Sequence, residues 1–538
     1  TGVQTGALPI WRFCILSKKI RAVVLMRTIT VNNYTIIHCH SDLSNCVTNI
    51  DSITKYTEYI EYAASLGMTA FAFTEHGSVM EWYFKKLAVE KAGMKYIHGA
   101  EFYITASLEE KLRDNYHVCL YAKNYDGFLE LNRLSSKSFD RSDGHFYYRP
   151  RISFDELFNT SDNIIISTAC LASPLHSGTA EVREKYINFL RKNSQRCFLE
   201  IQHHNVKDQI EYNKYLLNLH REIGVPLIAG TDTHCLTDKH AQGREVLQKA
   251  KGVKFADEDG WDLTFKTYNE LIDAYRCQNS IPMEYVEAAI ANTSVLSDMV
   301  EEFTIDTDYK YPHLWDNSEQ LLRQLIDDGI KRRGVDHYPN YQEYLDRIDY
   351  EMQAYIHNGS VDFMLLMEDI IRWCRDHDIG VGYGRGSVNG SVVAWLLGIT
   401  EMDSIKHKLN FDRFQNIERV SLSDIDTDFP PSDIEVVKQY ITSKPGLYCS
   451  DIITFNTISD KGAIRDIGRA MDMPLQEVGD ICNTVDNPAE YQKTRKKYAE
   501  LFKYVANVAG KRFNPDVLTI TWARRFADYK RAWLILMD

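Results

Sequence analysis

From Tyr34 to about Lys249 the sequence alternates short β-rich runs with amphipathic helical stretches, and that alternation narrows the possible folds more than any other feature. The runs are YTIIHCH (34–40), TAFAFTEH (69–76), YIHGAEFYI (96–104), YHVCLYA (116–122), NIIISTAC (163–170), CFLEIQHH (197–204) and PLIAGTDTH (226–234). Helical patterns follow most of them, at 52–66, 78–92, 181–193 and 207–222. Repeated β-then-α units predict an α/β fold with a parallel sheet, and seven of them suit a closed or nearly closed barrel.

The strand ends share a chemical theme. His38 and His40 are two residues apart, so on a strand both point to one face, and the same holds for Asp232 and His234. Between them come Glu75, His76, Glu101, His117 and Cys170, each at or near a strand end except His117, which opens its run. The carboxyl ends of barrel strands form one face and carry the active-site loops. Imidazole, carboxylate and thiolate converging there are a ligand set for Zn²⁺, Mn²⁺ or Fe²⁺ rather than Ca²⁺. A lone histidine near a strand end is more often a hydrogen-bonded core residue, and His98, His203 and His204 fit that reading. So many coincidences at strand ends argue for metal. The distribution agrees, since 12 of the 17 histidines lie at or before His240.

At 538 residues the chain is too long for one ordinary domain, and its 44% hydrophobic and 25% charged content is that of a globular protein. A net charge of −13 argues against coating nucleic acid through bulk positive charge and leaves local basic clusters to decide. No apolar run approaches the ~20 residues a membrane helix needs, so no membrane partner is expected. Eleven cysteines without a CxxC pair fit a reducing compartment, with the cytoplasm the expected location.

A second constellation follows. VGYGRGSVNGSVVAWLLG (381–398) places Gly382, Gly384, Gly386 and Gly390 in a turn running into an apolar helix. Such a turn lets backbone N–H groups and the helix N-terminus approach phosphate oxygens, with Arg385 and Ser387 as further donors. In RVSLSDIDTDFPP (419–431), Asp424, Asp426 and Asp428 alternate with Ile425, Thr427 and Phe429, so a strand would put three carboxylates on one face. Three like charges in register repel, and divalent cations are the natural compensation. Carboxylates beside a triphosphate cradle specify phosphoryl transfer through two Mg²⁺ ions. Farther on, Lys461, Arg465 and Arg469 fall at i, i+4 and i+8 of a helical pattern, a basic stripe that is either a solvated salt-bridging face, since Asp460 and Asp466 lie among them, or a surface for sequence-independent contact with a nucleic-acid backbone.

HCHSD, FTEHG, HGAEFYI, YHVCLYAKN, STACLAS and GTDTH resemble the successive motifs of the polymerase and histidinol phosphatase (PHP) domain. GHFYYRPRI (144–152) resembles a loop in the PHP domain of bacterial or phage replicative DNA polymerase III alpha subunits, and 363–428 resembles that family's palm, whose motifs read GRGSxxGS and PDxDxDF. The resemblance implies a distorted (β/α)7 PHP barrel over 30–300, a nucleotidyltransferase-like α+β palm over 301–450 and part of a helical thumb over 451–510. It implies metal ligands His38, His40, His76, Glu101, His117, Cys170, Asp232 and His234, with Glu75 behind them. It implies Asp426 and Asp428 as the catalytic pair, Asp424 as their neighbour, Gly386 and Ser387 as triphosphate contacts, and Arg413 and Arg419 as supporting phosphate ligands. The activity implied is template-directed DNA synthesis from dNTPs on a primer–template, with Mg²⁺ in the palm. A 3′→5′ exonuclease using Mn²⁺ or Zn²⁺ would sit in the PHP domain, and other replicase subunits would be partners.

Some positions depart from the pattern. Relatives supply a carboxylate or histidine several residues after HxH, and the matching stretch here is Ser44-Asn45-Cys46-Val47, so one metal site is expected to be altered. Tyr383 and Ser423 replace common prolines. Residues 1–25 resemble a translated adapter, and 511–538 resemble a fragment of α-glucan phosphorylase, with Arg525 and Lys530 at phosphate-contacting positions of that family. The third palm aspartate and the fingers do not follow, so the chain is expected to be a polymerase-deficient fragment. Two other readings stay open: a stand-alone PHP phosphoesterase, and a structural PHP platform with a degenerate metal site.

Overall fold

The computed structural model describes residues 34–253, 260–307, 311–418, 424–447, 449, 456–508 and 512–513. The segments expected to be foreign, 1–25 and nearly all of 511–538, lie outside them, as does Arg419. The described residues fall into two compact units, one running to Thr304 and resuming at Phe455, the other spanning Ile305–Thr454.

The first unit is built on one curled sheet of eight strands: β1 (Ala70–Phe73), β2 (Lys95–Thr105), β3 (Tyr116–Ala122), β4 (Phe146–Tyr147), β5 (Arg149–Ser153), β6 (Ile164–Ser167), β7 (Cys197–Ile201) and β8 (Leu227–Ala229). β2 is long enough to pair in parallel with β1 through its first residues and with β5 through its last. The run at 34–40 makes single bridges rather than a continuous ladder. Ile36 bridges Phe71 of β1 and Cys39 bridges Thr233 beyond β8, so this segment stitches the two edges of the sheet. Tyr121 reinforces it from inside, donating its buried hydroxyl to the Ile37 carbonyl at 2.9 Å.

The sheet is mixed, where the sequence pattern predicts a parallel one. β3 runs antiparallel to both β2 and β6. The cause is local: residues 106–115 form no helix, so the chain returns beside β2 without a crossover. Reversal explains why His117 opens its run, since the first residues of β3 lie at the sheet end where the neighbouring strands finish. Helices follow the other strands as expected, among them Tyr56–Ser65, Trp82–Lys91, Ala180–Lys192 and Lys207–Ile223. Ile37, Ala72, Ile97, Tyr121, Ile165, Phe198 and Ile228 fill the sheet's concave core.

After Phe455 the chain rejoins this unit. Helices Asp460–Ala470, Leu475–Thr484 and Ala499–Val508 build a second core in which Ile464, Ile467, Ile481 and Phe502 meet Ile50, Ile53 and Leu247. Lys251 pairs with Asp466 at 2.7 Å, so this carboxylate of the first of these helices turns inward while Asp460 stays exposed.

The second unit packs helices Ser318–Arg333, Tyr341–His357 and Val361–Asp376 around the fully buried turn Val392–Leu397. Gly329 permits the close approach, because a Cβ there would lie 2.4 Å from the Leu396 carbonyl oxygen. Helix Ile434–Thr442 lays Val437 against Leu366, Ile370 and Cys374. Among the described residues this unit has no strand, and 424–430 is not the expected strand: it has no ladder partner and ends at Pro430 and Pro431, which supply no N–H. Nor is any described helix long and apolar enough to cross a membrane.

Leu247→Ala removes a fully buried side chain from the second core. The expected loss is about 2–5 kcal/mol, read as an earlier urea midpoint for this unit.

Candidate metal centre and phosphate cradle

Seven ligand-type side chains expected from the sequence converge at one end of the sheet. Glu101, near the middle of β2, is the hub. Its Oε1 lies 3.0 Å from His117 Nδ1 and 3.4 Å from His38 Nε2, and its Oε2 lies 2.6 Å from His76 Nδ1 and 3.7 Å from His40 Nε2. Asp232 Oδ1 stands 3.3 Å from His38 Nε2 and 3.4 Å from His40 Nε2. Asp232 has φ +46°, a left-handed conformation uncommon outside glycine, at the turn that aims its carboxylate inward. Cys170 Sγ approaches His117 Nδ1 at 3.5 Å. His234, the eighth expected ligand, stacks on His40, which stacks in turn on His76.

The stretch after HxH proves less degenerate than its sequence suggests. Asp51 supplies a carboxylate from farther along the loop, with Oδ2 at 3.3 Å from His76 Nε2 and 3.2 Å from His234 Nε2. Asn45 holds that loop by accepting from the Asp51 and Ser52 N–H groups and donating to the Ser52 carbonyl. Glu75 is not at the cluster. Its oxygens accept from the Ser41 N–H and hydroxyl, the Ser44 hydroxyl and Lys85, which places it behind the ligands as expected. Glu200 went unnoticed in the sequence. It receives His38 Nδ1 at 2.6 Å, leaving Nε2 to face the cluster, and is held by Ser167 and Gln202. Gly230 is required beside it, since a Cβ there would fall 1.8 Å from Glu200 Oε1.

A cavity of about 770 Å³ opens over the cluster. Asp51, His76, His117, Cys170 and Asp232 line its floor, and Tyr103, Arg149, Lys207 and Trp261 its walls. Of the three histidines expected to be hydrogen-bonded core residues, His98 is bonded to Asn132 and Tyr96, whereas His203 and His204 are buried with no hydrogen-bond partner on either ring nitrogen, the His204 ring stacking on Trp261.

In the second unit, the cradle and the acidic segment lie together. The Gly382 N–H donates to the Asp428 carbonyl at 3.0 Å, and Arg385 pairs with the Asp428 carboxylate at 2.8 Å. Gly386 has φ +70°, and a Cβ there would come within 3.3 Å of Asp426 Oδ2. Asp424 and Arg413 are exposed, and Ser387 is half-buried in the turn. The N-terminus of the Val392–Leu397 helix is not open to phosphate. Buried Glu351 accepts from the Val392 and Val393 N–H groups and the Ser391 hydroxyl, so the loop alone remains as cradle. In the first unit, Lys461, Arg465 and Arg469 do share a helix; Lys461 pairs with Asp486, and the two arginines are exposed.

Residues 37–204 match the PHP domain family, and residues 320–532 match the family of the bacterial DNA polymerase III alpha NTPase domain. Curated relatives named DNA polymerase III subunit alpha include those of Borreliella burgdorferi, 31% identical over 84% of this chain, and Aquifex aeolicus, 30% identical over 87%. The chain thus carries a PHP domain and a bacterial DNA polymerase III alpha NTPase domain, and is similar to relatives of that name over most of its length. It spans 40% of the Borreliella protein and 42% of the Aquifex one. Among solved structures, a putative metal-dependent phosphoesterase from Bifidobacterium adolescentis overlaps 37% of this chain and 87% of its own, with a TM-score of 0.26 and 15% identity, too slight to argue from.

The PHP residues fit a metal. His40 Nε2, His76 Nδ1, Asp51 Oδ2 and Glu101 Oε2 are buried and make no hydrogen bond, although His76 Nδ1 and Glu101 Oε2 are only 2.6 Å apart. Donor atoms that close without hydrogen-bond geometry converge on a point rather than on each other. Four overlapping groups of three or four such donors share His38, His40, His76 and Glu101.

The electrostatics suit an exchange of protons for cations. Burial opposes charge on His38, yet Cys119, Glu200 and Asp232 hold it well above the usual histidine range. Burial likewise opposes charge on His76, which Tyr103, Asp51 and Glu101 raise. Burial, with His76 and His234 as like charges, lowers His40 to about 4. Both rings thus hold a proton more firmly than a free imidazole, and a cation binding there would compete with it. Metal affinity is expected to fall as pH drops, starting above the ordinary histidine value of about 6.5, and calorimetry in buffers of different ionisation enthalpy should register proton release. Glu200→Gln should weaken metal binding about 10–100-fold by loosening His38, measured by competition with a chelating dye.

Proposed function

We propose that the PHP unit is a metal-dependent phosphodiesterase acting on DNA 3′ ends, and that the second unit is the nucleotide-binding part of a template-directed DNA polymerase. The observation that carries the first half is the convergence of unpaired imidazole and carboxylate atoms beneath a cavity walled by Arg149 and Lys207. Cations and ligand atoms lining one cavity suit a phosphodiester, whose negative oxygens need both. Mn²⁺ or Zn²⁺ held by His38, His40, His76, Glu101, His117, Cys170, Asp232, His234 and Asp51 would supply a nucleophilic hydroxide and a charge sink. Of the chain's own residues, Arg149 would grip the phosphate, and Tyr103 and Trp261 would bound the cavity. Glu200 would fix the His38 ring.

In the palm, Asp426 and Asp428 would hold Mg²⁺ against the triphosphate while the 382–390 loop, with Gly386 and Ser387, cradles it. Arg385 would exchange its pairing with Asp428 for a phosphate. Asp424 would stand beside the pair, with Arg413 and Arg419 as outer phosphate contacts. Lys461, Arg465 and Arg469 would follow the backbone of the primer–template. The whole would work in the cytoplasm beside other replicase subunits.

The purified chain is expected to shorten 3′-labelled single-stranded DNA when Mn²⁺ is supplied, and His76→Ala to abolish that shortening while leaving circular dichroism unchanged. Intact label after incubation of the metal-loaded chain would sink the proposal. In the palm, Asp426→Asn with Asp428→Asn should remove Mg²⁺-dependent dNTP binding, measured by equilibrium dialysis, without changing nuclease activity.

A further inference from the structure

The strand that carries His117 presents a second soft donor to the centre. Residues i and i+2 of a strand share a face, so Cys119 points the same way as His117, one step deeper. It is fully buried, and its Sγ lies 3.8 Å from His38 Nε2 and 3.7 Å from Nδ1. Around His38 Nε2 stand two more donors, Glu101 Oε1 at 3.4 Å and Asp232 Oδ1 at 3.3 Å. Donors bound to one tetrahedral zinc lie about 3.3–3.6 Å apart, given bonds of about 2.0–2.3 Å. Both oxygens meet that spacing to Nε2 as they stand; the sulfur, as close to Nδ1 as to Nε2, lies beside the ring and must swing toward the Nε2 side to share an ion, the ligand atoms of His38, Glu101 and Cys119 all being within 4.8 Å of one another. His38 Nδ1 is already occupied by Glu200 at 2.6 Å, so Nε2 is the nitrogen free to bind.

We propose that Cys119 is a ligand of the innermost metal, in a site with His38 and Glu101, and that this second thiolate beside Cys170 biases the centre toward Zn²⁺ over Mn²⁺. The proposal rests on the reading that the PHP unit holds metal. Binding replaces the S–H bond by a sulfur–metal bond, and the proton leaves to solvent. Thiolate prefers Zn²⁺ among the candidate ions, whereas Mg²⁺ and Mn²⁺ favour oxygen. Cys119 pairs in register with Glu101 on β2 and Ser167 on β6, so the sheet itself fixes the sulfur beside the hub carboxylate.

The test loads the full chain with Co²⁺ and reads both bound cobalt and the near-ultraviolet sulfur-to-cobalt charge-transfer band. Cys170→Ser is expected to keep part of the band, Cys119→Ser to keep the other part, and the double variant to lose it. Elemental analysis after equilibration with equal Zn²⁺ and Mn²⁺ should show a lower zinc-to-manganese ratio in Cys119→Ser. If Cys170→Ser binds cobalt and loses the whole band, Cys119 is no ligand and the proposal falls. If the wild-type chain binds no cobalt at all, the metal reading itself falls and takes this proposal with it. Should Cys119→Ser fail to fold, zinc-edge X-ray absorption of the wild-type chain decides the matter: two sulfur neighbours per centre support the proposal, and one overturns it.

Discussion

One carboxylate organises the first unit. Glu101 faces four imidazoles within 3.7 Å, and every strand that brings a ligand must end where that carboxylate can be reached. An ionised carboxylate in so dry a place is costly unless countercharge surrounds it. His117 and His76 provide it and hold Glu101 well below the usual carboxylate range despite burial. The like-charged rings have the converse problem, met by Asp51, Asp232 and Glu200. Removing either set would leave the other uncompensated, so the centre is a mutual arrangement in which cations can replace protons with little rearrangement.

Much of this is legible in the chain itself, for identifiable reasons. Strand periodicity carries HxH and DTH, because alternation places both members on one face whatever the sheet does globally. It carries His117 only in part: the residue does reach Glu101, but the reversal of β3 that brings it there depends on a helix missing from 106–115. Asp51 is invisible to periodicity, since it lies in an irregular loop held by Asn45, and only the fold brings it to His76 and His234. The spacing of Cys119 from His117 puts both on one face of β3, although VCLYA reads as an ordinary apolar run. Glu200 was hidden in the same way within CFLEI.

In the second unit the glycine turn and the aspartates are adjacent, as their motifs suggest, although the expected strand is absent from 424–430. Glu351 supplies the instructive detail. Burial raises its carboxyl above the usual range even as Ser391 and two N–H groups bind it. A protein-derived anion thus takes the helix end that a glycine-rich approach advertises, and no local pattern around 381–398 reveals it, because Glu351 comes from a helix thirty residues earlier.

The stitching of the sheet by residues 34–40 bears on how the molecule matures. Thr231 binds the His38 carbonyl across 193 residues, so the first two ligands meet the last two only when the whole eight-stranded sheet has left the ribosome. Until then the centre exists as fragments, each with too few donors to retain an ion tightly. Ion capture is therefore a late event that reports on completed closure, and a chain interrupted before Asp232 would lack both the seam and the cation that locks it.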